Sequence, residues 1–451
     1  MAVMRESAGR VLMLVENVFP EDTRVKNEAF TLMQAGYHVT VISLRKKHQR
    51  SFEVINGVRV YRARKIKLFG KNSPRDSFAG KLLNRITSIV GYACEYFYFI
   101  LVAFFMSLYV VLKQGFDVVH VHTPPNTLFL VGLFYRLMGK KFVFDHHDLS
   151  PELYQSRFGR PRDLIYHALL AEEKLGLRCA NLVIATNESY KRIEVQRGNL
   201  KSEKIFIVRN GPDLHRIKLG APDEKLKAMG KTILGYVGDI NPQDGVDYLL
   251  RSLRYLAYDL RRKGFYCVII GSGDALDDLK ILARELKIED NVWFTGYISD
   301  EDLLRYLSTA DICVDPDPSS PLNDASTWIK IMEYMALKKP IVSFDLPETR
   351  FSAQQAALYV PPNDEKQFAE AIARLMDDPA ERARRGEWGY KRVVDHLAWH
   401  HVSKNLLFAY ETLMPQRSPR VAAPLARADE KMRAGVIVPA IDMKAPVEEA
   451  L

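Results

Sequence analysis

Residues 311–342 read DICVDPDPSSPLNDASTWIKIMEYMALKKPIV. A short apolar strand (311–314) runs into a polar, proline-rich loop. A helix follows, and then a second apolar strand (340–344). In an open α/β sheet such a loop sits at the carboxyl edge of the strands, where ligands bind. Ser326 or Thr327 is expected to cap the helix, and the free N–H groups behind a cap suit a phosphate. Lys330 and Glu333 stand one turn apart. Glu333 lies deeper along the helix, where a carboxylate can accept hydrogen bonds from two neighbouring sugar hydroxyls. A phosphate end and a diol end together describe a nucleoside diphosphate sugar. The competing reading is a plain Lys330–Glu333 pair across one helical turn.

The helix IKIMEYMALKKPIV resembles the donor-binding helix of GT-B glycosyltransferases of family 4, the large bacterial group 1 set. In that group a Glu before a Met-Ala or similar pair holds the donor ribose, and Glu333 matches it. The family pattern has an earlier Glu eight positions upstream, where this chain has Ala325; Asp324 beside it is the candidate substitute.

The chain has 451 residues, enough for two domains of ordinary size, with the composition of a globular protein. Its four cysteines (Cys94, Cys179, Cys267, Cys313) lack paired spacing, so neither a zinc site nor a disulfide framework is expected, and a reducing compartment is the simplest reading. The apolar run 11–15 is too short for a secretory signal.

The charge is unevenly placed. Between residues 45 and 85, thirteen Lys/Arg face two acidic residues, a local +11, so a total of +9 leaves −2 for the rest of the chain. A uniformly basic nucleic-acid binder would not look like this, and no nucleic-acid partner is expected. The apolar run 96–112 (YFYFILVAFFMSLYVVL) follows the basic block. It admits three readings: a buried crossover helix, a helix dipping one face into lipid, or a true span. At 17 residues it falls short of the ~20 that cross a bilayer. A span would also split a sheet that is otherwise built continuously. The interfacial reading is preferred because of the basic neighbour, which suits an anionic membrane surface.

Outside that segment, strands are expected at 11–15, 39–44, 58–61, 118–121, 141–144, 182–185 and 205–208, with helices between, such as 28–35 and 166–178. After RNGPD (209–213) the pattern restarts, with strands at 233–237, 267–271, 292–294, 312–314 and 341–344. This alternation predicts an α/β chain of two Rossmann-like domains facing a central cleft, the GT-B arrangement. The domains are 1–210 (acceptor side, including the membrane-facing segment 45–112) and 211–395 (donor side). A helix in 396–414, part of a helical stretch from about 386 to 413, returns to the first domain, and 415–451 reads as a mobile tail.

Further motifs fall at strand ends. In ENVFPEDTRV (16–25), Arg24 is placed to meet an acceptor phosphate bidentately, with Asn17 beside it; pairing with Glu21 or Asp22 is the alternative. This loop lacks the family's paired glycines and resembles a subgroup with Asp-Thr-Arg-Val. In FVFDHHDLSPELY (142–154), His147 followed by Asp148 matches the family's sugar-facing His best, with His146 the alternate. These three are the candidate catalytic residues. A neutral imidazole there can hydrogen-bond a sugar hydroxyl or accommodate charge as the glycosidic bond breaks. A zinc reading of His-His-Asp is disfavoured because neighbours on a strand point to opposite faces. His120 and His122 share one face of the preceding strand.

In GYVGDINPQDGVDYLL (235–250), Gly238 lets backbone approach the diphosphate, but Asp239 and Asp244 stand where the wider family has an Arg and a Lys. Lys330 is the replacement cation, with Arg209 second. Gly271-Ser272-Gly273 is a weak Gly-x-Gly signal. Tyr297 and Ile298 are candidate walls for the base, and Glu348 either contacts the sugar or caps a turn.

The resemblance spans about residues 10–413. It implies transfer of a sugar from a nucleoside diphosphate donor to a membrane-associated, polyprenyl-diphosphate-linked saccharide in cell-surface polysaccharide synthesis, with retention at the anomeric carbon, no metal and no cofactor beyond the donor. The expected place is cytoplasmic, peripheral on the inner face of the plasma membrane. An epimerase on the same fold and a non-catalytic nucleotide-sugar-binding subunit are the rival readings.

Overall fold

The computed structural model describes residues 8–66, 78–159 and 162–415; within the helix Phe78–Lys113 the side chains of 78–86, 88, 89 and 92 lie outside the description. The tail 416–451 falls outside it, as do Lys67, Lys71 and Arg75 of the basic block.

The first lobe contains β1 (Gly9–Val18), β2 (Tyr37–Arg45), β3 (Phe52–Ile55), β4 (Val58–Arg64), β5 (Val118–His122), β6 (Lys141–His146), β7 (Leu182–Ala185) and β8 (Ile205–Ile207). They form one sheet in the order β3-β4-β2-β1-β5-β6-β7-β8, parallel throughout except for β3 against β4. The second lobe contains β9 (Thr232–Val237), β10 (Phe265–Ile270), β11 (Val292–Gly296), β12 (Ile312–Asp315), β13 (Ile341–Phe344) and β14 (Ala357–Val360). Its parallel sheet runs β11-β10-β9-β12-β13-β14. Helices cover both faces, so the central strands are buried on both sides and read as unbroken apolar runs; every residue of β5, β7 and β13 is buried. In each lobe the strand order reverses once, between β1 and β5 and between β9 and β12. Those switch points open crevices at the carboxyl ends of the strands.

The stretch 379–413 is not one helix. Pro379–Arg392 ends in a wide turn at Val393–Leu397, Ala398 is extended (φ −63°, ψ 151°), and Trp399–Leu413 starts anew. The last helix lies on the first lobe. Val402, Leu406, Ala409 and Tyr410 are buried in the core that contains β1 and β2, and Trp399 Nε1 donates to Thr31 Oγ1 at 2.9 Å.

The long helix Phe78–Lys113 connects β4 to β5, two strands of one sheet. Residues Ala93–Lys113 are long and apolar enough to cross a bilayer. The sheet nevertheless continues across this connection, which weighs against the spanning reading. Phe99, Ala103 and Val110 are fully buried on its inner side. Phe97, Leu101, Phe105 and Tyr109, spaced four apart, remain 42–64% exposed on the outer side. Of the basic block, Arg62 does not face the surface: its guanidinium donates to Phe19 O at 2.9 Å and pairs with Glu53 at 2.5 Å.

Candidate functional site

The two crevices face each other across a cavity of about 560 Å³. The first lobe contributes Glu21, Arg24, His147, Asp148, Thr186 and Tyr190, and the linker contributes Asn210 and Arg216. The second lobe brings Tyr236, Gly238, Asp239, Asp244, Tyr297 and Ile298 together with Ser326, Thr327, Trp328, Lys330 and Glu333. The residues assigned catalytic, donor-binding or acceptor-phosphate roles from the sequence therefore meet in one cleft, with three exceptions.

His146 is one exception. It points into the first lobe, where Nδ1 lies 3.0 Å from Glu194 and Nε2 3.4 Å from Glu173, all three fully buried. Burial opposes its charge, but the two carboxylates raise its pKa to about 10, so it is a structural cation. The alternation of strand side chains sends it and His147 to different surroundings. Asn17 is the second exception: its amide donates to Asp22 Oδ2 at 3.0 Å and so holds the cap of the helix Thr23–Gln34. Arg209 is the third. It is buried against the Phe351 ring and pairs with Glu348 at 3.2 Å, outside the cleft lining.

The expected cap is also absent. The helix Ile329–Ala336 starts after Trp328, with no side-chain cap. Ser326 Oγ donates to Leu322 O at 2.7 Å, while Thr327 Oγ1 accepts from Asn187 Nδ2 at 2.9 Å and lies 3.3 Å from Glu348. Ser326 thus ties its own loop, while Thr327 serves the seam between the lobes, where Asn187 also donates to Ala325 O and Ser189 Oγ donates to Glu348 at 2.6 Å. Glu348 is a seam residue rather than a sugar contact. Asp324 bonds Ser319 at 3.1 Å and is not in the lining, so it does not replace the carboxylate lost at Ala325.

Lys330 lines the cleft, yet its charge is already answered. Nζ lies 3.2 Å from Asp315 and 2.5 Å from Asp317, above the rings of Tyr236 and Trp328. Burial alone would lower its pKa, but Asp317 and Asp315 raise it well above the ordinary value, so the ammonium persists. Burial raises Asp244 to about 6, against the pull of Lys330, and raises Asp239 in the same way. Glu333 is raised by burial, partly offset by Arg216, whose guanidinium lies 3.6 Å away and is held by Asp300 at 2.9 Å. Arg216 went unnoticed in the sequence because its polar stretch has no periodicity.

On the opposite wall, Arg24 lies 3.7 Å from Asp22 and keeps its charge. His147 Nε2 approaches His122 Nδ1 at 3.1 Å and Asp145 at 3.0 Å, and its Nδ1 has no partner in the protein. The inward contacts fix the ring and leave Nδ1 as a lone-pair acceptor for a hydroxyl. Gly271 (φ +143°) also lines the cavity, and a Cβ there would sit 1.8 Å from Gly238 O. That glycine lets two turns of the second lobe meet back to back.

Residues 22–216 match the family model described as Glycosyltransferase Family 4, and residues 221–392 match Glycosyl transferases group 1. An alpha-D-kanosaminyltransferase of Streptomyces kanamyceticus is 32% identical over 161 residues, 35% of this chain and 39% of that protein. Among solved structures, sucrose-phosphate synthase from Thermosynechococcus elongatus is similar over 90% of this chain and 99% of its own, with a TM-score of 0.68 and 20% identity. Anabaena HepE in complex with UDP is similar over 89% and 100%, with a TM-score of 0.63 and 14% identity. At these identities the structural likeness speaks for the fold alone.

Proposed function

The chain belongs to the group 1 and family 4 glycosyltransferases, and on that footing we propose that it transfers a sugar from a nucleoside diphosphate donor to a membrane-associated saccharide carried on a polyprenyl diphosphate. The reaction retains the anomeric configuration, needs no metal for the transfer itself and serves cell-surface polysaccharide synthesis on the cytoplasmic face of the plasma membrane.

The observation that carries this reading is the convergence of Lys330 and Glu333 from one lobe with Arg24 and His147 from the other on one cavity of about 560 Å³, a volume suited to a nucleotide sugar. Glu333 accepts from the ribose diol after exchanging its loose contact with Arg216. The uncapped N-terminus of the helix Ile329–Ala336 offers backbone N–H groups to the diphosphate. Arg216, freed from Glu333, adds a cation near the leaving group, and Lys330 keeps the local acidic cluster from repelling it outright. His147 Nδ1 accepts a sugar hydroxyl and sets the ring opposite the diphosphate. As that bond breaks, a closed cleft excludes water and stabilises the oxocarbenium-like centre between these groups. The UDP held by HepE, on the same fold, supports a nucleotide in this cleft.

A lipid-borne acceptor fits the outer surface of the first lobe. The exposed face of the helix Phe78–Lys113 adjoins the β3–β4 hairpin, where Phe52 and Tyr61 pack together and Tyr61 meets Tyr109. Exposed Lys46, Lys47, Arg50, Arg59 and Arg64 lie on that hairpin and the strand and turn before it. Apolar side chains beside basic ones suit an anionic bilayer surface.

Incubating the pure protein with a panel of nucleoside diphosphate sugars, with and without a polyprenyl-diphosphate saccharide, tests the proposal. Acceptor-dependent release of the nucleoside diphosphate, with a lengthened saccharide, is the expected result. An epimerised donor, or binding without turnover, would overturn it.

A further inference from the structure

Behind His147, away from the cleft, side chains from three elements converge: Glu28 on the helix Thr23–Gln34, His120 and His122 on β5, and Asp145 on β6. All four are buried, none more than 2% exposed, and one nitrogen or oxygen from each lies within 4.8 Å of the others. His122 Nδ1 is 2.9 Å and His120 Nε2 is 3.3 Å from Asp145 Oδ2, and His120 Nε2 is 3.8 Å from Glu28 Oε2. These are hydrogen-bonding distances or a little more. Even so, Glu28 Oε2, His120 Nε2 and both Asp145 oxygens make no well-aligned hydrogen bond, although His147 Nε2 also stands 3.0 Å from Asp145 Oδ2 and 3.1 Å from His122 Nδ1.

Buried polar atoms are almost always paired, so several orphans aimed at one point ask for a common partner. Ionised carboxylate oxygens have only lone pairs to offer, and His120 Nε2 offers one in the tautomer whose proton sits on Nδ1, which faces Tyr410 Oη at 2.9 Å. The species that accepts lone pairs from all of them is a cation. Atoms about 2.0–2.2 Å from a tetrahedral centre are spaced roughly 3.3–3.6 Å apart, within the range of the 2.9, 3.3 and 3.8 Å separations above. Two imidazoles favour a first-row transition ion over calcium or magnesium, and two carboxylates balance a double positive charge.

We propose that Glu28, His120, His122 and Asp145 form a site for one divalent transition-metal ion, of the zinc class. The ion ties the first helix to β5 and β6 and, through Asp145, fixes His147 from behind. It makes no contact with the reacting groups, and the site stands independently of the transferase reading. The expectation of no metal rests on the family resemblance, on the strand alternation at His146, His147 and Asp148, and on the lack of any other ligand cluster visible along the sequence. The ligands proposed here come from 28, 120, 122 and 145, which only the fold brings together.

The test uses the full-length chain, stripped with chelator and then titrated with Zn²⁺ against a competing indicator, alongside elemental analysis of the untreated protein and thermal melts. One equivalent per chain and a thermal midpoint that rises with Zn²⁺ are expected. Glu28→Gln and His120→Gln should each weaken binding at least about tenfold, the scale on which lost ligand-shell interactions act, with far-UV circular dichroism unchanged. Sub-stoichiometric metal with an unmoved midpoint would overturn the proposal and leave a proton shared between Glu28 and Asp145 as the partner. Zinc bound with equal affinity by wild type and both variants would overturn it too, by placing the metal elsewhere.

Discussion

At the scale of single residues, the cleft departs from a simple cationic phosphate site. Asp239 and Asp244 line the cleft as carboxylates, where the resemblance leads one to expect cations, and Lys330 spends its charge on Asp315 and Asp317. Asp244 is the member that titrates in a useful range, near pH 6. Its pKa in the folded chain is raised, so its favourable contribution is complete below its ordinary value of 3.8 and is lost as pH rises through about 6. Above that pH a buried carboxylate faces the incoming diphosphate. The donor's nucleoside diphosphate is therefore expected to bind roughly three- to fourfold more tightly at pH 5.5 than at pH 7.5, as ~1 kcal/mol between like charges allows for a group titrating near pH 6. Calorimetry in buffers of different ionisation enthalpy should show proton uptake, and Asp244→Asn should flatten both effects. His146 gives a contrasting prediction. Removing it leaves Glu194 buried without a cation and Glu173 with Arg197 alone, so His146→Ala should lose roughly 3–5 kcal/mol in urea unfolding while nucleotide affinity in the surviving folded protein stays the same.

At the scale of elements, the helix Phe78–Lys113 has two different sides. Phe99, Ala103 and Val110 make it part of the core, whereas Phe97, Leu101, Phe105 and Tyr109 leave an apolar stripe in solvent. Changing Phe97 and Phe105 together to Glu should abolish co-sedimentation with anionic liposomes and shift the thermal midpoint little, since both are more than 60% exposed. Equal binding of the variant, or equal wild-type binding to neutral and anionic vesicles, would contradict the membrane role. The elements also show what could be read in advance. The apolar runs of the parallel strands located most of both sheets because buried strands tolerate few polar residues. The hairpin strand β3 was invisible: its four residues alternate between exposed and half-buried, with none in the core. The break at Ala398 carries no proline or glycine, so nothing local divides 379–413. It arises because the last helix must turn onto the first lobe, a demand of tertiary structure.

At the scale of the whole molecule, strand order explains why part of the site was legible. Gly238 follows β9, Lys330 follows β12, and His147 follows β6, each at a carboxyl strand edge. An edge can be read from sequence, and so can the type of residue on it. The partners cannot. Asp315 and Asp317 neutralise Lys330 inside the second lobe, Arg216 reaches Glu333 from the linker, and Glu348 crosses to Ser189 where the two lobes close on one another. The account depends on that closure gripping an activated sugar. Isothermal titration of the full chain and of Glu333→Gln with UDP-, GDP- and dTDP-sugars tests it most directly. One donor should bind the wild type and lose about 10–100-fold in affinity in the variant, the worth of a charged hydrogen bond or two, with equal melting temperatures. Unchanged affinity in Glu333→Gln, or no donor bound by the wild type, would contradict it.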